Sequence, residues 1–165
     1  MTDPKTTVEA MESDALQRCA ELRADGINHA VPVPANLKNS PGKSPAEWAY
    51  QRIILYMKAF EEALNDAEVM AMGFTGGPSG ILRIQGVGFH APDLVTFSGV
   101  NEAGEMMQAI QHISQLNVML RAMPRPVDQP TPERIGFQLA RALEQAEEQT
   151  DEIGDAAQAD APATS

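Results

Sequence analysis

Four residues stand where the surrounding apolar pattern does not want them: Arg52, Asp93, His112 and Asn117. Arg52 lies between Trp48 and Tyr56 at i−4 and i+4, off the polar face made by Glu47, Gln51, Lys58, Glu61 and Glu62. A guanidinium so placed can stack on aromatic rings and extend its planar fork to a carboxylate or phosphate. Asp93, which follows Pro92 and opens an apolar run, is the carboxylate expected to receive it, as a bridge fixing helix against sheet. The same Arg could instead take the phosphate or carboxylate of a ligand. Asn117 falls near the middle of an apolar face at helical spacing, where an amide costs free energy unless its donors and acceptors are paired. Its partner would be backbone, a ligand or a neighbouring subunit. His112 sits at the boundary of that face, beside Leu116, Met119 and Met123.

Acid–base chemistry would require Asp93, His90 and His112 to meet through the fold, and the sequence places no nucleophile or metal set beside them. No second histidine or carboxylate pair stands at a ligand spacing from His112, His29 lies in a linker, and Cys19 is the only cysteine. Neither a metal nor a cofactor is therefore expected, and no catalytic residue is assigned. Arg52, Asp93, His112 and Asn117 form instead a candidate set for a small anionic, nucleotide-like ligand.

The stretch GFTGGPSGILRIQGVGFH, residues 73–90, raises the other chemical question. Phosphate loops converge backbone amides and a helix N-terminus on the anion, usually with a Lys or Ser/Thr following. Here TGGPSG is followed by the strand-like ILRIQ and has no GK[ST] ending, so it reads as a hairpin connection around Gly76, Gly77 and Pro78. Leu82 and Ile84 share one parity and Val87 and Phe89 the other. A bulge near Gly86 would let both pairs face one core.

These residues must be held by the elements around them. SPAEWAYQRIILYMKAFEEALN predicts a helix opened by Ser44, Pro45 and Glu47 in the order of a capping box. Residues 67–74, 81–90 and 93–100 read as three short strands. EMMQAIQHISQLNVMLRAM predicts a long helix from about Glu105 to Pro124, with Met106, Ala109, Ile110, Ile113, Leu116 and Leu120 on one face. The fold class is α+β: a two-layer core of helix, three-stranded antiparallel meander and helix over residues 44–123. Residues 1–43 carry a weak helical pattern over Val8–Arg23 and a Pro-rich linker. Residues 124–165 carry a Pro-rich linker, a short amphipathic helix capped by Thr131 with Pro132 at its first position, and an acidic tail expected to be disordered. The strands are apolar on both faces, so a symmetric dimer or the outer helices should cover the second one.

The formal charge of −11 opposes nucleic acid or anionic lipid as a partner by general electrostatic attraction. The N-terminus has neither a basic n-region nor an apolar h-region, and no apolar run reaches a membrane span, which predicts a soluble cytoplasmic protein.

SPAEW at the helix start, PDL with an aromatic strand (APDLVTF) and QHISQLN together resemble a family of uncharacterised bacterial and phage-borne domains of unknown function. The resemblance spans about Ser44–Met123. It implies a compact helix–sheet–helix unit with variable ends, and that Trp48, Asp93, His112, Gln115 and Asn117 belong to the family pattern; it carries over no catalytic residue. The expectation is a non-enzymatic cytosolic domain that self-associates, as a homodimer or with another protein, with small-anion binding as the alternative.

Overall fold

The computed structural model describes residues 20–34, 37, 42–75 and 80–159, with side chains described as far as Thr150. The chain forms two units, Met1–Ala35 and Asn36–Ser165. Most of the helix expected over Val8–Arg23 lies outside the described residues. From Ala20 onward the small unit is not helical: Leu22 bridges Asn28 in antiparallel fashion around a turn at Gly26. Asp25 accepts the Ile27 amide at 2.9 Å and faces His29 Nε2 at 2.7 Å.

The larger unit opens with helix α1, Pro45–Glu62, whose start follows from its sequence: Ser44 is extended and its hydroxyl accepts the Glu47 amide at 3.2 Å, with Pro45 just inside. Five strands follow, β1 (Glu68–Phe74), β2 (Ile81–His90), β3 (Leu94–Val100), β4 (Met106–His112) and β5 (Val118–Pro124), and then helix α2, Ile135–Ala159. The strands form one antiparallel sheet in the order β4-β3-β2-β1-β5. β1 and β2 share only two residue pairs, Met72 with Leu82 and Gly73 with Ile81. The sheet thus divides into β5–β1 and β2–β3–β4, joined near the β1–β2 connection.

Both halves close on one core. Met70 and Met72 from β1, Leu82 and Ile84 from β2, and Val95 and Phe97 from β3 pack with Ala46 and Met57 of α1, and Phe74 meets Phe97 edge-on at 5.4 Å between centroids. The bulge expected near Gly86 is present: the β2–β3 register shifts between Ile84 and Gly86, and Val87 still packs on the core. Gly99 lies opposite this shift, where an added Cβ would come within van der Waals overlap of the Arg83 carbonyl, so the bulge and a glycine at 99 go together. Phe89, at the strand's far end, lies against Tyr50 at 5.0 Å.

The helix expected from Glu105 to Pro124 is instead β4 and β5, so the sheet has five strands rather than three. Met106, Ala109, Ile110 and Ile113 satisfy the helical spacing i, i+3, i+4, i+7, yet 106–112 also alternates, with Met107 and Ala109 on the core side and Met106 and Ile110 outward. Pairing decides between the two periods. β3 takes Met106–His112 in seven consecutive pairs and β1 takes Val118–Pro124 in seven more. The short connection between these two edge strands, which run in the same direction, uses no glycine or proline and contains a 3-10 turn, Ile113–Gln115.

The C-terminal segment also departs from expectation. Thr131 does not cap α2, which begins at Ile135, and the helix runs on to Ala159, into the acidic tail expected to be disordered. Its first turn is capped from outside: the buried carboxylate of Glu61 accepts the amides of Gly136 and Phe137 at 2.8 and 3.3 Å. Gly136 lies so close to the Met57–Lys58 peptide that a Cβ would meet backbone at 2.8 Å.

Candidate functional site

The sequence-predicted polar residues separate into two places. Asp93 lies just before β3, and the pairing of Leu94 with His112 brings the end of β4 beside it. The Ile113 amide donates to the Asp93 carbonyl at 2.9 Å, and His112 Nε2 stands 3.1 Å from Asp93 Oδ2. On the other side of the ring, Nδ1 receives the Ser114 amide at 3.1 Å and lies 2.7 Å from Ser114 Oγ. An amide can only donate, so Nδ1 is the accepting nitrogen and the ring proton sits on Nε2, directed at Asp93. Asp93, His112 and Ser114 thereby form one hydrogen-bonded chain. His112 and Ser114 are exposed, and Asp93 is half-buried.

Asn117 ends the same connection. Its amide group donates to the Thr75 carbonyl at 3.0 Å, and its Oδ1 accepts from Gln111 Nε2 at 2.8 Å. It is exposed, in a β4–β5 connection rather than on a buried helix face, and it ties that connection to the end of β1. Its partners are backbone and a neighbouring amide.

Arg52 stays apart. It is exposed, stacks over Trp48 at 5.2 Å and donates to the Trp48 carbonyl at 3.4 Å. The stacking on an aromatic neighbour is as expected; the bridge to Asp93 is not formed, and the side chain that faces that carboxylate is His112. His90 pairs with Leu94 and so lies two strands from His112, about 10 Å away by strand spacing. The two histidines share a sheet face without meeting, and among the described residues no group of three or more metal-ligating side chains occurs. Gly76, Gly77 and Pro78 lie outside the described residues, but the segment joins two antiparallel strands and no helix follows it.

Ser114 was the residue that sequence spacing left out. Its signal is local: a serine two positions after a strand-ending histidine can fold back on the ring once the chain turns, and the helix expected there hides the turn. The outer sides of β4 and β5 were hidden with it. β4, MMQAIQH, carries no charge and no proline; β5, VMLRAMP, carries one arginine and a terminal proline. Met106 is 89% exposed, Ile110 61% and Met119 49%. Beside β5 an apolar hollow of about 100 Å³ is lined by Val69, Ala71, Ile81, Met123, Pro124 and Pro126, together with Arg83 and Glu102. No described helix is long and apolar enough to cross a membrane. Comparison with known proteins gives no match to this chain among family models, curated proteins or solved structures.

Proposed function

We propose that this protein is a self-assembling domain whose copies join through the two edges of the sheet. The observation that carries the reading is that β4 and β5 are both seven-residue edge strands with unbroken inner ladders, and among the described residues nothing pairs with their outer sides. Such edges are templates for another strand, and proteins that stay monomeric blunt them with lysines, prolines, bulges or short length. Here Arg121 and Pro124 are the only residues of that kind in the two strands. Outward Met106, Ile110 and Met119 would gain cover from a neighbour's side chains on the same face.

Pairing β4 of one copy with β5 of the next satisfies both edges of every copy, and it closes into a ring when the rotation allows. A two-fold pairing of β4 with β4 would leave every β5 open. The small-anion reading has less behind it, because Arg52 stands apart from His112 and Asn117, and the latter two already hold protein partners.

The test is the oligomeric state of Ile110→Lys and Met119→Lys, one charge on each edge, by light scattering with circular dichroism as the folding control. Each variant should fall to a smaller species. Mixed together they should form a dimer, because one keeps an intact β5 and the other an intact β4. A wild-type protein that stays monomeric overturns the proposal, and a mixture that does not associate overturns its head-to-tail form.

A further inference from the structure

We infer that Ser114 is an activated nucleophile, with His112 as its general base and Asp93 as the positioning residue, able to react with small activated acyl or phosphonyl electrophiles. The inference does not rest on assembly. Serine is a weak nucleophile until a base is placed on its proton, and that base is effective when its tautomer and orientation are fixed by a third group. Both conditions are met. The backbone amide of Ser114 and the carboxylate of Asp93 fix the imidazole with Nδ1 accepting and Nε2–H donating, and Ser114 Oγ lies 2.7 Å from the accepting nitrogen.

The ring is used in the sense opposite to the commonest serine hydrolase arrangement, because the serine faces Nδ1 and the carboxylate faces Nε2; the proton path is the same. Residues 113–115 form a single 3-10 turn between β4, which pairs with β3, and β5, which pairs with β1, so Ser114 is carried on a short anchored segment. Its exposure lets a small electrophile reach Oγ.

With an ester, Oγ would bond to the carbonyl carbon as its proton passes to Nδ1. The carbon–oxygen bond to the leaving alcohol then breaks, and the proton returns from Nδ1 to that oxygen. Water, deprotonated by the same nitrogen, would release the acid and restore the serine. With a fluorophosphonate the phosphorus–oxygen bond forms, fluoride leaves and the adduct remains.

The full chain should therefore be treated with a fluorophosphonate and analysed by intact mass and peptide mapping. A single adduct on Ser114 is expected, absent from Ser114→Ala and formed roughly 100-fold more slowly in His112→Gln. Asp93→Asn should slow it as well. His112 also caps the turn, so circular dichroism must show each variant folded; if His112→Gln does not fold, Asp93→Asn, which leaves that cap in place, decides in its stead. Labelling of wild type no faster than of Ser114→Ala, or a folded His112→Gln or Asp93→Asn labelled as fast as wild type, overturns the inference.

Discussion

Glu61 shows how one residue can hold two elements together at an electrostatic cost. Its carboxylate is 2% exposed and accepts two amides from the first turn of α2. Burial raises its pKa above 4.5, and the two amides and Arg134 only partly offset that. A carboxyl whose folded pKa is raised adds stability below its unfolded pKa, and that contribution is lost as pH rises from about 4.5 through the folded value. Wild type should therefore gain stability over Glu61→Gln as pH is lowered through that window, measured by urea unfolding at several pH values. Glu61→Ala should lose about 2 kcal/mol near neutrality, because the amides keep their burial and lose their acceptor. None of this is legible in the sequence, where Glu61 falls on the polar face of α1. Asp93 and His112 were legible as candidates because polar residues interrupt apolar runs there. Their pairing was not, since it depends on the register of β3 against β4.

At the level of elements, legibility tracks how local the stabilising contacts are. α1 is written in its own first turn, and the first three strands are bounded by turn residues and rich in residues that suit a pleated surface. β4 and β5 are rich in Met, Ala, Gln and Leu, all good helix formers, and pairing with distant strands overrides that preference. The seating of α2 depends on distant contacts too. Lys43 reaches Glu147 at 3.0 Å, and the buried Gln51 donates to the same carboxylate at 2.7 Å. Gly136→Ala should push α2 away from the Met57–Lys58 peptide and destabilise the protein by about 1–3 kcal/mol. Proteolysis of the variant should then cut first within α2; a thermal midpoint equal to wild type would show that the backbones separate at no cost.

For the whole molecule, charge and sheet edges act in opposite directions on assembly. Each copy carries a formal charge of −11, so copies repel one another at neutral pH over a distance set by the ionic strength. The attraction proposed here comes from backbone pairing along β4 and β5 and from cover over Met106, Ile110 and Met119, none of which salt screens appreciably. Raising salt should weaken the repulsion and leave the attraction, so the assembled fraction should grow with ionic strength. An assembly held by ion pairs would respond the other way. Sedimentation velocity on one protein concentration at low and high sodium chloride separates these cases, with the larger species expected to dominate at high salt. If wild type dissociates as salt rises, charged groups hold the copies together and the bare edges of β4 and β5 do not.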